Sequence, residues 1–479
     1  MTDLLLTHSY FLRFDPKQFR AGTPYAPLAT LFAASVLQKQ KYQVAFFDTM
    51  FCQQASEIIP AISKHKPKLF VIYDDGFNYL TKMCLTNMRE AAFEMIKAAK
   101  EQGCKVAISS SDSTDHAEQY LQKGADYVIA GEGEQTLLEL SNLLLRDEGS
   151  VENINGLVWM KDGLLQRNTK RENLRNLDEL PLPAWDLVDM KPYQQMWLQH
   201  KGYFSINMVT TRGCPFKCNW CAKPIYGNRY NSRSPENVIE EIKLLKQKLN
   251  INHIWFADDI FGLKPGWVSR FAALAKQENV QFKFKIQSRV DLLLEEDNIK
   301  HLADAGCDEV WVGAESGSQK ILDAMDKGTK VEQIEKATTL MKQQGIKPCF
   351  FLQFGYPGEE AEDIKKTVAM LKKLMPFDIG ISVSYPLPGT KFYDNVKSQL
   401  NQKQNWTDSD ELLVMFNSTY PAAFYKQLQR LVHYQFRNWK ALEAWKTQNN
   451  IKQGVAALMR VPQVLWAKQQ MKKYAAGAF

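Results

Sequence analysis

Short apolar segments alternate with amphipathic segments along two long parts of this 479-residue chain, and this alternation constrains the fold more than any other feature. In the first part, each apolar segment has the length of a strand and is followed by a segment with helical periodicity. The predicted strands are Leu4–His8, Tyr42–Asp48, Lys68–Tyr73, Lys105–Ser109 and Asp126–Ala130. Five such units form an open parallel sheet covered by helices, so residues 1–150 are predicted to form a Rossmann-like α/β domain.

Polar residues follow the predicted strands of this domain. They are Asp48, the stretch Tyr73-Asp74-Asp75, the three serines Ser109, Ser110 and Ser111, and the stretch Gly131-Glu132-Gly133-Glu134. Ligands of doubly wound sheets bind beyond the carboxyl ends of the strands. The sequence therefore predicts a binding edge here, although a Rossmann-like sheet alone leaves the identity of the ligand open.

Strand–helix alternation resumes over residues 203–395. The six predicted strands are Ser205–Thr211, His253–Ala257, Gln281–Gln287, Glu309–Gly313, Lys347–Phe354 and Ile379–Ser384. Polar residues again cluster after the strands, which is where barrels of this kind place their active sites. The pattern predicts a partial (β/α)6 barrel, preceded by a connector over residues 151–202 and followed by a helical C-terminal domain over residues 396–479.

The connector and the C-terminal domain carry weaker signals. Asn155–Arg167 is predicted to be a hairpin with its turn at Lys161-Asp162-Gly163. In the C-terminal domain, Gln427–Trp445 has helical spacing, and the tail Val455–Tyr474 is basic and moderately amphipathic. Such a tail can lie on a membrane surface, but the favoured interpretation is a helix that closes the open side of the barrel.

Three cysteines, Cys214, Cys218 and Cys221, lie directly after the first predicted strand of the barrel at the spacing C-x3-C-x2-C. A closed zinc site usually takes four ligands, and the chain has no second C-x2-C pair to complete one. Thiolates are the usual ligands of iron–sulfur clusters, and three of them would leave one iron of a four-iron cluster open. The spacing therefore favours a [4Fe-4S] cluster over a zinc site or a set of buried thiols.

Composition argues against several classes of protein. Lys and Arg exceed Asp and Glu by 60 to 53, and no dense basic run is interleaved with aromatic residues, so no nucleic-acid partner is predicted. The other cysteines are scattered singly among apolar residues and are predicted to be inert rather than paired in disulfides. No apolar run has the length of a membrane span and no signal peptide is recognisable, so a cytoplasmic protein without a transmembrane segment is predicted.

The cysteine motif, with the aromatic Trp220 before its last cysteine, resembles the signature of the radical S-adenosylmethionine (SAM) superfamily. The resemblance implies that Cys214, Cys218 and Cys221 bind a [4Fe-4S] cluster whose open iron holds the amino and carboxylate groups of SAM. The reduced cluster of this family cleaves SAM to a 5′-deoxyadenosyl radical. The residues that the resemblance assigns to SAM are Trp220, Asp258, Asp259, Gln287, Arg289, Glu315, Ser316 and Gly355.

These assignments make chemical sense. Asp258 and Asp259 follow the second strand of the barrel, where a carboxylate can accept hydrogen bonds from the SAM ammonium group. Arg289 follows the third strand and can pair with the SAM carboxylate in a bidentate manner. The stretch Glu315-Ser316 resembles the family's contacts to the ribose or methionyl end, and Gly355 resembles its contact to adenine.

Two stretches of the first domain resemble the cobalamin-binding domain that precedes the barrel in one radical SAM subfamily. They are Thr23–Leu28, before the first helix, and Gly131–Thr136, which matches G-E-G-E-x-T. The resemblance implies that cobalamin contacts Asp48, Ser109, Ser110, Gly131, Glu132, Gly133 and Glu134. The D-x-H-x-x-G motif of many cobalamin proteins is absent, because Leu6 and Phe11 stand at its Asp and Gly positions around His8. A cobalamin without a histidine on its lower face is therefore implied, with a sheet that has lost the cofactor as the alternative.

The resemblance implies an enzyme that transfers a methyl group from cobalamin to an unactivated carbon of a small-molecule or natural-product substrate. It also implies an electron donor such as a flavodoxin or ferredoxin. The same architecture resembles the anaerobic magnesium-protoporphyrin ester cyclase family, so cyclisation, oxidation or rearrangement without net methylation stays open. A third hypothesis is a cobalamin or redox sensor, although a sensor has no need of SAM-binding residues at four strand ends.

Overall fold

The structure, a computed structural model, describes residues 2–223, 225–400 and 403–475. The strands of the N-terminal unit are β1 (Leu4–Thr7), β2 (Val44–Phe46), β3 (Leu69–Tyr73), β4 (Lys105–Ser109), β5 (Tyr127–Ile129), β6 (Leu157–Lys161) and β7 (Leu164–Arg167). Its helices are α1 (Pro16–Ala21), α2 (Leu28–Lys39), α3 (Ile58–His65), α4 (Tyr79–Lys82), α5 (Thr86–Glu101), α6 (Ser111–Asp115), α7 (Ala117–Gln122) and α8 (Glu134–Arg146). The strand order is β2-β1-β3-β4-β5-β6-β7, and β1 to β5 are parallel. The predicted Rossmann-like α/β fold is confirmed.

Two interior strands of this sheet, β1 and β3, are buried along their whole length. Unbroken apolar strands are typical of a parallel sheet with both faces covered. Buried residues of α2 and α8 pack on one face, and buried residues of α3, α5 and α7 pack on the other. The carboxyl ends of the parallel strands therefore form one edge of the unit.

The hairpin that the sequence placed in the connector belongs to this sheet. β6 and β7 pair with each other, and β6 pairs antiparallel with β5, with Trp159 opposite Tyr127. The connection to the second unit therefore begins after Arg167. It contains one α-helix, α9 (Lys191–Lys201), and two short 3-10 turns before it.

The second unit is a parallel half-barrel. Its strands are β8 (Ser205–Met208), β11 (His253–Phe256), β12 (Lys283–Ser288), β13 (Cys307–Glu315), β14 (Lys347–Phe354) and β15 (Asp378–Val383), and a small ladder is formed by β9 (Thr211–Arg212) and β10 (Asn231–Ser232). Its helices are α10 (Pro235–Leu249), α11 (Trp267–Gln277), α12 (Val290–Leu293), α13 (Asn298–Asp304), α14 (Gln319–Ala324), α15 (Val331–Gln343), α16 (Ala361–Leu374) and α17 (Lys391–Val396). The order β15-β14-β13-β12-β11-β8, with all neighbours parallel, confirms the predicted partial (β/α)6 barrel.

The first long helix begins later than its apolar periodicity suggests. The helical periodicity of the sequence predicts a helix over Tyr25–Gln40, but α2 begins at Leu28 because Pro27 disfavours helical dihedral angles in the residue before it. Tyr25 and Ala26 instead contact the half-barrel. The Tyr25 ring lies 4.6 Å from the ring of Trp255, and Nδ2 of Asn207 donates a 2.9 Å hydrogen bond to the carbonyl oxygen of Ala26. These residues form part of the contact between the two units.

Two long helices, α18 (Ala422–Gln448) and α19 (Ile451–Lys472), form a C-terminal hairpin. α18 packs against α16 and the edge strand β15, and α19 packs along α18. Within the C-terminal hairpin, α18 therefore lies beside the edge strand β15, and α19, which holds most of the tail, packs on α18. None of the helices in the described ranges has both the length and the apolar composition that crossing a bilayer requires.

The segment before this hairpin returns to the N-terminal unit. The backbone N–H of Thr86 donates to the carbonyl oxygen of Trp406 at 2.8 Å. The Ser409 hydroxyl donates to Oδ1 of Asp15 at 2.9 Å, and Asp15 is fully buried. The C-terminal segment thus completes the burial of groups near the start of the chain.

Candidate functional site

The three cysteines lie on a loop, residues 213–223, that we call the cysteine loop. The ladder of β9 and β10 frames it, with Arg212 paired to Asn231. Gly213 has a φ of +77°, and a Cβ at this position would collide with the carbonyl oxygen of Arg229. Glycine is therefore required at this turn, which sets the direction in which the loop leaves the half-barrel.

Two polar side chains fasten the cysteine loop. Nζ of Lys223 donates to the carbonyl oxygens of Cys214, at 2.9 Å, and of Phe216, which closes the loop on itself. Nδ2 of the buried Asn219 donates to the carbonyl oxygen of Ala324 at 2.7 Å. The loop is thereby held against the end of α14, while its three free thiols stay half-buried.

Basic side chains surround the thiols. Nη1 of Arg289 lies 3.8 Å from Sγ of Cys218. Lys82, which comes from the N-terminal unit, lies near Cys221 and is bound to Asp259, and Lys327 lies near Cys218 and is bound to Glu315. An iron–sulfur cluster with three thiolates carries negative charge, and these cations would offset it.

Burial favours the protonated form of two of the three thiols, Cys214 and Cys221. Burial raises the pKa of the Cys221 thiol to about 12 and also raises the pKa of Cys214, so metal binding has to release protons. Among the residues that the structure describes, no three His, Cys, Asp or Glu side chains converge closely enough to hold one metal ion. A four-iron cluster would bind each of the three thiolates to a different iron.

The two aspartates after β11 differ in their surroundings. The carboxylate of Asp258 is buried and accepts hydrogen bonds from the N–H groups of Thr210 and Thr211, at 2.7 and 2.9 Å, and from the Thr210 hydroxyl at 2.6 Å. Burial raises the pKa of Asp258 to about 6. Asp259 is partly exposed, and its Oδ1 lies 2.5 Å from Nζ of Lys82. Asp258 therefore holds the strand end before the cysteine loop, and Asp259 is the one available to a ligand.

Arg289 and Gln287 lie at the end of β12. The Arg289 guanidinium is bidentate to Asp291, with Nε 3.0 Å from Oδ1 and Nη2 2.8 Å from Oδ2. Asp291 thus fixes the guanidinium beside Cys218. Gln287 is half-buried, and its main-chain carbonyl oxygen accepts a 3.0 Å hydrogen bond from the N–H of Phe261. The structure therefore brings Arg289 to the thiols and places Gln287 in the wall of the half-barrel.

Glu315 and Ser316 occupy the end of β13. Glu315 has a φ of +56° and forms a buried ion pair with Lys327, 2.8 Å from Oε1 to Nζ. Lys327 also lies 5.9 Å from the centre of the Trp220 ring. The Ser316 hydroxyl lies 3.1 Å from the Thr367 hydroxyl. Lys327 therefore links the predicted residue Glu315 to the aromatic residue of the cysteine motif.

Gly355 and Glu359 form the turn after β14. Gly355 has a φ of +78°, and its N–H donates to Oε2 of Glu359 at 2.6 Å. A Cβ at Gly355 would lie 3.2 Å from the ring of Tyr425. Glu359 is fully buried, and its Oε1 has no hydrogen-bond partner in the described part of the chain. Burial raises the pKa of Glu359 to about 8, so this carboxyl group is protonated at neutral pH.

The raised pKa of Glu359 predicts a pH dependence of stability. Between pH 4.5, the usual pKa of the group, and pH 8 the folded state keeps a proton that the unfolded state has lost. The free energy of unfolding should therefore fall as pH rises through this window, by at most about 1.4 kcal/mol per pH unit from this group. Glu359→Gln is expected to flatten the fall, as measured by urea unfolding from pH 5 to pH 9. The exposed Glu362→Gln serves as the control and should follow the wild type; identical profiles for all three proteins would contradict the prediction.

Three further polar atoms near the cysteine loop are buried without a hydrogen-bond partner among the described residues. They are Nε1 of Trp220, Oγ of Ser288 and Oγ1 of Thr329. Buried polar groups are normally paired, so each such atom calls for an explanation. Trp220 precedes Cys221, Ser288 precedes Arg289, and Thr329 follows Lys327 by two positions. A polar cofactor bound beside the cysteine loop would supply partners to these atoms, so the residues fit such a group.

The acidic residues of the G-E-G-E stretch join the two units. Arg212, two residues before Cys214, donates through Nη1 to Glu132 and through Nη2 to Oε1 of Glu134 at 2.7 Å. The side chains of Arg212, Glu132 and Glu134 are 3%, 6% and 5% exposed. The guanidinium is surrounded by the rings of Phe32, Phe77 and Tyr226. The carboxylates of Glu132 and Glu134, two residues predicted to contact cobalamin, bind Arg212 on the strand that leads into the cysteine loop.

The glycines and serines of the predicted cobalamin edge serve close packing and capping. Gly131 has a φ of +79°, and a Cβ at Gly133 would lie 2.8 Å from the Tyr73 hydroxyl and 3.0 Å from Oγ of Ser109. The hydroxyl of Ser110 caps α6. These residues allow the ends of β3, β4 and β5 to pack closely. Their backbone forms part of the carboxyl edge of the N-terminal sheet.

Asp48 lies at the same edge, after β2. It accepts hydrogen bonds from Nε2 of His8 at 2.8 Å and from the Tyr193 hydroxyl at 2.7 Å. Burial alone would raise the pKa of Asp48, but these hydrogen bonds hold it below the usual value. The buried hydroxyls of Tyr10 and Ser111, which follow β1 and β4, have no partner within the described ranges. This edge thus retains polar groups that a ligand can satisfy.

Sequence reasoning missed four charged residues of the site: Lys82, Arg212, Asp291 and Lys327. Lys82 comes from another unit, and nothing in its local sequence distinguishes it. Arg212 did carry a signal, because it directly precedes the cysteine motif and a buried guanidinium needs carboxylates such as those of the G-E-G-E stretch. Asp291 stands two residues after the predicted Arg289, a spacing that permits the bidentate pair.

Comparisons with known proteins agree with this geometry. Residues 208–371 match the radical SAM superfamily. The chain is 28% identical over 392 residues to an uncharacterized methyltransferase of Pyrococcus horikoshii, with 80% of this chain and 82% of that protein covered. It is 24% identical over 275 residues to the anaerobic magnesium-protoporphyrin IX monomethyl ester cyclase of Rubrivivax gelatinosus, with 57% and 49% covered.

Among solved structures, the chain resembles the cobalamin-dependent S-adenosylmethionine radical enzyme OxsB with aqua-cobalamin bound. The TM-score is 0.75 at 16% identity, and the match covers 98% of this chain and 72% of that one. At this level of identity the likeness shows a shared fold. The fold that the resemblance implied, a Rossmann-like domain followed by a partial barrel, is thereby confirmed, and the family match of residues 208–371 agrees with the resemblance of the cysteine motif.

Proposed function

We propose that this chain, whose residues 208–371 belong to the radical SAM superfamily, is a cobalamin-dependent radical SAM methyltransferase acting on an unactivated carbon of a small molecule. When bound, the [4Fe-4S] cluster with SAM supplies a 5′-deoxyadenosyl radical, and cobalamin supplies a methyl group. The likeness to an uncharacterized methyltransferase over four-fifths of the chain supports this proposal.

One observation carries the proposal: the carboxyl edge of the N-terminal sheet meets the cysteine loop. Glu132 and Glu134, which follow β5, bind Arg212 just before Cys214, and Lys82 of the N-terminal unit binds Asp259. A cofactor on the first sheet would therefore lie near a cluster on the loop. Two cofactors that share one substrate need this proximity, because holding reacting groups together lowers the entropic cost of the reaction.

The chain's own residues would bind and orient these groups. Cys214, Cys218 and Cys221 would ligate the cluster, while the Arg289 guanidinium, held by Asp291, would face the SAM carboxylate. Asp259 would accept hydrogen bonds from the SAM ammonium group.

Further contacts would follow from the later strand ends. Ser316 and the backbone of Gly355 would contact the ribose and adenine of SAM. Cobalamin would use the polar groups at the edge of the first sheet, including the buried hydroxyls of Tyr10 and Ser111. Reduction of the cluster would require a one-electron donor of the flavodoxin or ferredoxin type, in a reducing cytoplasm.

A second candidate function is a reaction without net methylation. The likeness to an anaerobic magnesium-protoporphyrin IX monomethyl ester cyclase favours it, although that match covers only 57% of this chain. The two candidates share the cysteine loop and the first sheet, so they differ in the fate of the SAM methyl group.

A substrate-free assay separates the candidates. Protein reconstituted anaerobically with iron, sulfide and cobalamin, and given SAM and dithionite, is expected to form both 5′-deoxyadenosine and S-adenosylhomocysteine. The first product reports radical cleavage, and the second reports loss of the SAM methyl group. Formation of 5′-deoxyadenosine alone would favour the cyclase-like candidate. Absence of both products would overturn the proposal and favour a sensor.

A further inference from the structure

The C-terminal helix α19 exposes a continuous apolar stripe. Its members are Ile451, Val455, Leu458, Met459, Leu465 and Trp466, whose exposed fractions lie between 48% and 72%. The spacing of three, four and seven residues places them on one side of the helix. Among the large apolar side chains of the described residues that are exposed, nine of sixteen lie within residues 445–474. The exposed apolar surface is thus concentrated here rather than scattered, and concentrated patches mark interaction sites.

The opposite side of α19 already has its partner. Gly454, Ala457, Ala467 and Met471 are buried, and the helix packs along α18. A Cβ at Gly454 would lie 2.8 Å from the ring of Trp445, which shows how closely the two helices approach. The apolar stripe therefore faces away from the protein. Packing against α18 buries the other side of α19 and does not explain why the stripe is apolar.

The charge around the stripe has one sign. Residues 444–479 contain no Asp or Glu. They contain the basic residues Lys446, Lys452, Arg460, Lys468, Lys472 and Lys473. Lys452, Lys468, Lys472 and Lys473 are exposed. The surface of the hairpin thus combines an apolar stripe with an uncompensated positive charge.

We propose that α19 docks this protein on an anionic lipid surface, with the apolar stripe inserted at the boundary between headgroups and acyl chains. An amphipathic helix with a basic rim lies in the plane of such a surface and is held by apolar burial and by attraction to anionic lipids. The partly exposed rings of Trp466, Trp445 and Tyr474 suit this boundary, where indole and phenol groups concentrate. A second copy of the chain is disfavoured as the occupant, because a two-fold contact would bring two positive faces together.

Vesicle co-sedimentation of the full chain tests this surface. The protein is expected to sediment with vesicles of phosphatidylcholine and phosphatidylglycerol in equal parts and to bind phosphatidylcholine vesicles at least about tenfold more weakly, because anionic lipid supplies the electrostatic attraction. The double variant Leu458→Asp/Leu465→Asp should lose binding to both. Leu164→Asp is the matched control, because Leu164 is equally exposed but lies on β7 of the N-terminal unit.

Two further measurements distinguish docking on anionic lipid from a contact between protein molecules. The variant Lys468→Gln/Lys472→Gln/Lys473→Gln should retain its circular dichroism spectrum and lose the preference for anionic vesicles. Absence of binding by the wild-type chain to either vesicle would overturn the proposal. Light scattering that shows a dimer abolished by Leu458→Asp/Leu465→Asp, with no vesicle binding, would assign the stripe to a protein contact instead.

Discussion

Replacement of Cys218 by alanine is expected to abolish the formation of 5′-deoxyadenosine from SAM. Each cysteine of the loop would ligate a different iron, and Cys218 is also the thiol that lies 3.8 Å from Arg289. The variant should fail to show the broad visible absorption of an iron–sulfur cluster after anaerobic reconstitution. Product formation would be measured by chromatography after incubation with SAM and dithionite. We expect the same loss for alanine at Cys214 or Cys221.

The control for this experiment is another cysteine of the chain. Cys52 is half-buried in the N-terminal unit and is likewise a free thiol. Cys52→Ala is expected to take up iron and sulfide and to form 5′-deoxyadenosine at the wild-type rate. A Cys218→Ala protein that still cleaves SAM would show that the loop does not hold the catalytic cluster.

Replacement of Arg212 by methionine is expected to lower the free energy of unfolding by about 3–5 kcal/mol, because it leaves two buried carboxylates without their cation. Glu132 is 6% and Glu134 5% exposed, so water cannot replace the guanidinium. Burial already raises the pKa of Glu132, against the lowering effect of Arg212. The loss would be measured by urea denaturation followed by tryptophan fluorescence. Cluster incorporation should fall with it, because Arg212 leads into the cysteine loop.

A triple variant distinguishes the loss of charge balance from the loss of packing. Arg212→Met/Glu132→Gln/Glu134→Gln removes the cation together with both negative charges and retains side chains of similar size. It is expected to recover most of the stability that Arg212→Met loses, since replacing a whole buried ionic group costs far less than breaking it. A triple variant as unstable as Arg212→Met would show that the aromatic packing around the guanidinium, and not the charge, accounts for the effect.

The fold was predictable from the sequence because its signals are local. Apolar strands such as Leu69–Tyr73 are flanked by helices with clear periodicity, and the order of the units follows from their order in the chain. The differences between the predicted and the observed elements also have local causes. Pro27 delays α2, and the hairpin of β6 and β7 joins the first sheet because β5 offered an unpaired edge.

The candidate site was predictable only in part. Periodicity places Asp258, Arg289 and Gly355 at strand ends, but it does not say which polar groups a side chain will meet there. Asp258 turns back to Thr210 and Thr211, whereas Asp259 meets Lys82 from a unit more than 170 positions earlier in the chain. Partners of this kind depend on how two units pack, and no spacing within either unit encodes that packing.

The segment that carries Trp406 and Ser409 has a consequence for synthesis. Asp15 accepts hydrogen bonds from Ser409, and Thr86 donates to Trp406, so the N-terminal unit receives these partners from residues made about 320 to 390 positions later. On the ribosome, Asp15 therefore has only its local partner, the N–H of Gln18, until Ser409 has emerged. Until then, water hydrates the remaining acceptor positions of the Asp15 carboxylate. The incompletely folded unit should stay accessible to chaperones and proteases. Maturation of this protein is thus expected to be a late, post-translational event rather than a domain-by-domain one.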